Sequence, residues 1–206
     1  MTTRRPQKFV WATWLAKLMV GETTCEWATW FRSTYEGWTR QPSDSDNSAY
    51  LTAHTRLLRG VVQRRRELGE RVLVERQAAY RYRRPFGLVL AGVPDAVPVM
   101  GSGGTVIDVK TGQHRASHAV QVKIGMYCLP RALPAFRDIE LAGQVIYEDG
   151  QQTNLAPETA RGEFEDHLNY FLDVLDAGTP PPRNPSRFEC RFCDIGPADC
   201  PERVSR

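Results

Sequence analysis

Val106-Ile-Asp-Val-Lys-Thr-Gly112 is the stretch on which the reading of this chain turns. Its β-branched residues favour a strand. Alternate residues of a strand share a face, so Asp108 and Lys110 point the same way. A core strand has no structural use for a carboxylate and an ammonium side by side, and the bland alternative is a surface ion pair. The preceding segment shifts the balance. Gly87–Val99 reads as a second strand, Thr105–Lys110 as its partner, and Gly101-Ser-Gly-Gly104 as the turn between them. With a four-residue loop there, Met100 stands opposite Thr105 and Asp95 opposite Lys110, placing Asp95 diagonal to Asp108 at roughly 7–8 Å. Two carboxylates that close repel unless a cation lies between them, and hard oxygen donors select Mg²⁺ or Mn²⁺. Pro94 and Pro98 flank Asp95, so its strand is expected to be a sheet edge or to carry a bulge.

Outward from these strands the chain reads as helices around a sheet. Phe9–Val20 is predicted helical, with Gly21 as its stop. Thr23 or Thr24 caps a second helix that opens at Cys25. Gln41–Ser48 is a polar loop, His54–Leu68 a helix with an apolar stripe, and Arg71–Tyr82 a strand. Downstream, His114–Leu129 is helical, Leu141–Tyr147 is a strand ending at a Glu-Asp-Gly turn, and Pro157–Ala177 is an amphipathic helix. Gly178–Pro185 is too rich in proline for regular structure and delivers a cysteine-bearing tail. The order predicts an α/β (α+β) fold, a central mixed sheet flanked by helices. One domain is expected over 1–206, divided into an N-terminal helical region (1–50), a core (51–177) and a linker with tail (178–206).

Composition is that of an ordinary globular protein, 41% hydrophobic and 25% charged, and the net charge of +3 is too mild to prove a nucleic-acid partner. Its distribution says more: Arg64–Arg66 and Arg81-Tyr-Arg-Arg84 are basic clusters, and Arg83 and Arg84 are candidate DNA contacts. No apolar run approaches the ~18 residues of a membrane helix. The segment Phe9–Val20 is broken by Lys17 and lacks a small-residue cleavage site, so no secretory signal is read. Five cysteines without such a signal imply a reducing compartment, the cytoplasm, where clustered thiols bind metal more often than they pair. Trp11, Trp14, Trp27 and Trp30 are expected in the core; Trp38 and Tyr35, beside the polar loop, are expected to be open to DNA.

The helix after the central strand places His114, His118, Gln121 and Gly125 on one face, since their spacings are four, three and four. The cysteines Cys190-x2-Cys193-x6-Cys200 supply three soft ligands in a segment that a metal would fold; a fourth is needed, and of the other two Cys128 reads as a buried small hydrophobe and Cys25 lies far upstream at the start of a helix. The spacing permits a four-cysteine Zn²⁺ site as well as an iron–sulfur cluster.

Taken in order, His54, Gly92-Val-Pro-Asp95, Ile107-Asp-Val-Lys110 and Gln121 resemble the PD-(D/E)XK nuclease core, and more narrowly its RecB-like branch. The resemblance implies that His54, Asp95, Asp108 and the Val109 carbonyl hold Mn²⁺ or Mg²⁺. It further implies that Lys110 orients or helps deprotonate the attacking water and that Gln121 meets DNA or the phosphate. Glu75 matches a less regular acidic position of that branch. The branch has a tyrosine four residues after the glutamine; here Gly125 stands there, and Tyr127, two residues on, is a displaced candidate for DNA contact. One distant cysteine followed by a trio resembles the iron–sulfur nucleases, including the CRISPR-associated RecB-like (Cas-four) family, and implies that Cys25, Cys190, Cys193 and Cys200 hold a structural [4Fe–4S] cluster. Implied with it are DNA exonuclease activity, typically on single strands, assembly with copies of itself, and recombination or CRISPR-adaptation proteins as partners, with no membrane. The alternative is a catalytically weak DNA-binding or adaptor subunit on the same scaffold.

Overall fold

The computed structural model describes residues 1–41, 48–85 and 87–204. In chain order the elements are β1 (Thr3–Arg4), β2 (Phe9–Trp11), α1 (Ala12–Met19), α2 (Glu26–Thr34), β3 (Tyr35–Glu36), α3 (Ser48–Glu67), β4 (Arg71–Val74), β5 (Tyr80–Arg83), β6 (Val89–Gly92), β7 (Ala96–Met100), β8 (Gly103–Lys110), α4 (Ala116–Ala132), β9 (Glu140–Tyr147), β10 (Gln152–Leu155), α5 (Glu163–Asp176) and α6 (Arg187–Phe192). The principal sheet has the order β10-β9-β8-β7-β4, with β8 and β9 parallel and the other neighbours antiparallel. A three-stranded sheet β2-β6-β5 and the pair β1-β3 complete the strands. The fold is mixed α/β, as the element order predicts.

Alternation along β8 sorts its two faces. Ile107 and Val109 join Leu58, Val61 and Val62 of α3 in one apolar cluster, together with Val72, Ala96 and Ile146. Val106 faces the larger core under α4, so Asp108 and Lys110 lie on the α4 side. Close approach of α4 requires small residues beneath it. A Cβ at Gly125 would sit 3.0 Å from Val106, and one at Gly143 would sit 2.6 Å from Val122. The larger core runs from Val10 to Ile195 and has Cys25, Cys193 and Cys200 packed against it, which draws both ends of the chain onto one body.

Several expectations need correction. The segments Arg71–Tyr82 and Gly87–Val99 are each two strands, because the chain changes sheets within both. The first break is a 3-10 turn over Glu75–Ala78, with Glu75 held at φ 47°, a left-handed backbone rare for a side-chain-bearing residue. The second is Val93-Pro-Asp95, where Pro94 has no N–H for a ladder. The two breaks are tied together by a 3.1 Å bond from the Glu75 N–H to the Asp95 carbonyl. Phe9–Trp11 is not helical but a strand parallel to Val89–Ala91, because burial of Val10 beside Leu90 outweighs the helical pattern. Helix α3 begins at Ser48, before His54; residues 42–47 of the expected polar loop lie outside the described residues. Pro157–Ala177 is interrupted at Gly162, whose φ is 56°. Strand β7 is an inner strand rather than an edge, and its ladder to β8 lapses between Ala96 and Val99, around Pro98. Among the described residues no helix is long and apolar enough to cross a membrane.

Candidate functional site

The turn between β7 and β8 is tighter than the sequence suggests. Met100 pairs with Gly103 and Ala96 with Ile107, so Gly101 and Ser102 alone make the turn. Continued one step past the Ala96–Ile107 pair, this register sets Asp95 level with Asp108 rather than with Lys110. The register differs from the expected one by two residues, which leaves every side chain on its expected face. The cluster therefore converges although the detail of its pairing was misread.

The Val109 N–H donates to Asp95 Oδ2 at 2.7 Å, and His54 Nε2, reaching over from α3, lies 3.4 Å from the same oxygen. This bond to Asp95 raises the His54 pKa, against the opposing effect of burial. Asp108 is 4% exposed. Its Oδ1 accepts from the Gln121 side-chain amide at 3.0 Å, and its Oδ2 has Lys110 Nζ at 2.8 Å as its sole partner among the described residues. The Gln121 carbonyl in turn accepts from Lys110 at 3.5 Å. Burial, with Asp95 adding to it and Lys110 opposing, pushes the Asp108 carboxyl up to about 7. Burial works to lower the Lys110 pKa, but Asp108 and Asp95 outweigh it and hold the ammonium above its ordinary value. A carboxylate this buried, facing a second carboxylate, is short of positive charge.

The predicted face of α4 forms, with Gly125 over Val106 and Gln121 over Asp108. His114 precedes the helix instead of belonging to it. Its ring stacks on Tyr147 at 3.6 Å, and His118 Nδ1 lies 3.3 Å from the Tyr147 hydroxyl. Tyr147 is the register partner of Lys110 on β9 and so belongs to the same wall. The sequence reading missed it, because the parallel pairing of β8 with β9 leaves no local signal. A small cavity of about 140 Å³ adjoins Asp108 and Gln121, with Trp11, Thr13, Tyr80 and Gly92 in its lining.

Other candidates are redistributed. Tyr127 is buried, edge-on to Tyr82 and under the Arg131 guanidinium at 3.7 Å, so its side chain is not presented to DNA. Arg84 pairs with Asp173 of α5 at 2.7 Å. Arg83 is exposed at the end of β5 far from Gly92, the end that approaches the site. Glu75 is exposed and lines a groove beside α3. Trp38 is buried against Phe31, and Tyr35 packs on Trp30 and Phe31, whereas Trp11, expected in the core, is 39% exposed.

Both ends of the chain bring cysteines together. Burial raises the Cys200 pKa, and Cys25, Cys193 and Cys190 all add to that rise while Arg183 opposes it, which places the four thiols within electrostatic range. Arg32 donates to Cys193 Sγ at 3.4 Å. Thr24 does not cap α2 with its side chain; its N–H and hydroxyl, with the Cys25 N–H, donate to the Glu189 carboxylate. Glu189 was missed, although Ser186-Arg-Phe-Glu189 carries a helix-capping signature, and Ser186 does accept from the Glu189 N–H. Cys128 is fully buried and its pKa is raised by burial, as a packed thiol requires. Among the described residues no group of three or more His, Cys, Asp or Glu side chains is placed so as to hold a metal ion. The donor types nonetheless divide cleanly. Hard oxygens and an imidazole surround Asp108 and suit Mg²⁺ or Mn²⁺, and soft thiols gather at the tail and suit zinc or iron–sulfur.

No protein-family model matches the chain. No curated protein matches it either. Among solved structures, the crystal structure of SSO0001 is similar at 16% identity and a TM-score of 0.48, covering 98% of this chain and 90% of that one. The crystal structure of LHK-Exo in complex with dAMP is similar at 15% identity and a TM-score of 0.46, covering 81% of this chain and 87% of that one. Likeness at this level carries no argument about chemistry, and the functional reading rests on the residues themselves.

Proposed function

We propose that this protein is a divalent-metal-dependent DNA nuclease, acting as an exonuclease on single strands, with a four-cysteine metal centre closing its two ends. The observation that carries the reading is the convergence of Asp95 and the buried Asp108 with Lys110, Gln121 and His54. Asp95 and Asp108 would hold Mg²⁺ or Mn²⁺, with the His54 imidazole and the Val109 carbonyl beside them. In an antiparallel strand one residue's N–H and C=O face the same edge, so the Val109 N–H that meets Asp95 brings its carbonyl to that edge. A bound divalent cation supplies Lewis acidity at the scissile phosphate and makes water a competent nucleophile.

The chain's own residues divide the remaining work. Lys110 has a raised pKa and is therefore a fixed cation at neutral pH. It orients the attacking water and a phosphate oxygen rather than taking a proton. Gln121 holds Asp108 and Lys110 at once, fixing the angle between carboxylate and ammonium. His54 must be neutral to donate a lone pair to a cation, and its bond to Asp95 favours the protonated form instead.

Labelled single-stranded DNA incubated with purified protein and Mn²⁺ is expected to be degraded from an end. Asp108→Ala and Lys110→Ala should stop that. A wild-type protein that binds DNA but cuts neither strand form, and does so no differently from the two variants, defeats the reading in favour of a binding subunit. For the cysteine centre an anaerobic absorbance spectrum decides: a brown protein carries iron–sulfur, and a colourless one retaining zinc carries a four-cysteine zinc site.

A further inference from the structure

Helix α3 carries a polar stripe opposite its apolar face. Arg56, Arg59, Gln63 and Arg66 follow one another at spacings of three and four residues and therefore share one side of the helix. All four are exposed. Arg59, Gln63 and Arg66 of the stripe stand in one wall of a broad groove of about 930 Å³, whose other wall is the 3-10 turn with Arg76 and Gln77. A second hollow, with Arg56 in its lining, continues it along the helix and shares Thr55 and Arg59 with it.

Two contacts tie the walls of the groove to Asp95. Thr55 at its near end is next to His54, whose imidazole meets Asp95. Glu75 in its far wall donates its N–H to the Asp95 carbonyl, and is held in a left-handed conformation to do so. Strain of that kind, of order 1–3 kcal/mol, persists where the surroundings enforce it. Two carboxylates share the groove, Glu75 and Glu67, the latter held by Gln63 at 2.9 Å. Against them stand Arg59, Arg66 and Arg76, with Arg56 in the adjoining hollow, and none of the four makes an ion pair among the described residues. The contrast with neighbouring arginines is informative: Arg65 is engaged by Glu70 and Gln144, and Arg84 by Asp173. Guanidiniums in a row, without an ion pair among the described residues and lining a concave surface, match a row of phosphates.

We propose that this groove is the track along which a DNA strand lies as it enters the Asp95–Asp108 site, with Arg59, Arg66 and Arg76 on its phosphates. From Arg56 to Arg66 the helix rises about 15 Å, which is roughly four nucleotides of a stacked strand. The proposal rests on the nuclease reading for its direction but makes a separate claim about binding.

The test is equilibrium binding of a fluorescent single-stranded oligonucleotide, longer than the groove, to the full chain in EDTA across a salt series. Removing three single-strand phosphate contacts in R59A/R66A/R76A should lower the slope of log K against log salt by about 2. Between about 50 and about 200 mM salt the variant would then lose roughly 20-fold less affinity than the parent. The triple lysine variant should restore most of the slope, because the track reads charge. A dinucleotide, too short to reach the arginines, should bind parent and variant alike. A folded triple alanine variant with the parent's slope overturns the track. So does a parent that binds polyglutamate and no oligonucleotide, since the groove would then belong to an acidic protein. Cleavage is silent in EDTA, so the two readings fail separately. A parent with the expected slope that never cuts in Mn²⁺ loses the nuclease and keeps the track; one that cuts, with a slope indifferent to the arginines, does the reverse.

Discussion

The Glu189 carboxylate accepts a hydrogen bond from the Cys25 backbone N–H at 3.1 Å, joining residues 164 positions apart. The same carboxylate accepts from the Thr24 N–H and hydroxyl at 2.7 Å each. Because Glu189 precedes Cys190 directly, these bonds set Cys25 beside α6 and the rest of the tail. The nearness of Cys25 to the tail is thus built into the chain's own polar contacts.

Glu189→Ala should accordingly cost about 1–3 kcal/mol of stability, because two backbone N–H groups and a hydroxyl lose a charged acceptor together. A denaturant titration reads the loss. Elemental analysis should show less metal retained at the cysteines, with Glu189→Gln intermediate. An unchanged midpoint and metal content would mean that apolar packing alone closes the chain.

Divalent cation should stabilise the folded chain through Asp95 and Asp108. At a hundred times its dissociation constant a ligand adds about 2.7 kcal/mol, which for a chain of this length raises Tm by roughly 5–10 °C. Thermal melts with Mn²⁺ in excess test this. Asp108→Asn should abolish the increment while leaving the fold, since asparagine keeps the shape and removes the charge. Lys110→Met should retain the increment and lose activity by about 10²–10⁴-fold, the usual contribution of a positioned proton-handling or charged group. An increment that survives Asp108→Asn would move the cation elsewhere.

Gly92→Ala offers a test that depends on packing alone. A Cβ at Gly92 would collide with the hydroxyl end of the Tyr80 ring, and Tyr80 is buried across the β5–β6 register. Overpacking of this sort costs about 1–3 kcal/mol. The double change with Tyr80→Phe should recover little, because the ring carbons as well as the hydroxyl stand in the way. Melts of the single and double variants decide; a neutral Gly92→Ala would mean that strand β5 yields easily.

The distribution of what the sequence disclosed has a physical logic. The faces of β8 were legible, because the two-residue period of a strand survives any even shift of register, and so Asp95, Asp108 and Lys110 converge although the hairpin was drawn too long. The helical face of Gln121 was legible for the same kind of reason. Sheet changes were not, since Val74 and Gly92 leave one sheet for another in response to distant partners. Tyr147 and Glu189 reach their places through parallel pairing and through a contact across 164 residues, and neither leaves a periodic trace. Arg84, a candidate DNA contact from its basic cluster, and Tyr127, a candidate through the resemblance, are consumed by α5 and by Arg131.

His118 should make the stability of the fold depend on pH in a definite direction. Burial is the main cause that lowers its pKa from 6.5 to about 4; Lys110, Arg115 and His114 push the same way and Glu22 opposes them. The folded pKa lies below the unfolded one, so between the two values the unfolded chain binds a proton that the folded chain refuses. Stability from this group is therefore complete above about pH 6.5, declines as the pH falls below that, and is spent once the folded group itself protonates near 4. His118 is only partly buried, so solvent screening keeps the effect well below the full linkage value. Carboxylates titrate in part of the same window, which makes the informative quantity a difference between proteins. His118→Asn cannot take up the proton in either state and should melt with a shallower decline from pH 7 to pH 4 than the wild type. Parallel pH profiles for the two proteins would mean that the imidazole is as free to charge in the fold as outside it, and that the wall formed with Tyr147 and His114 is open to water.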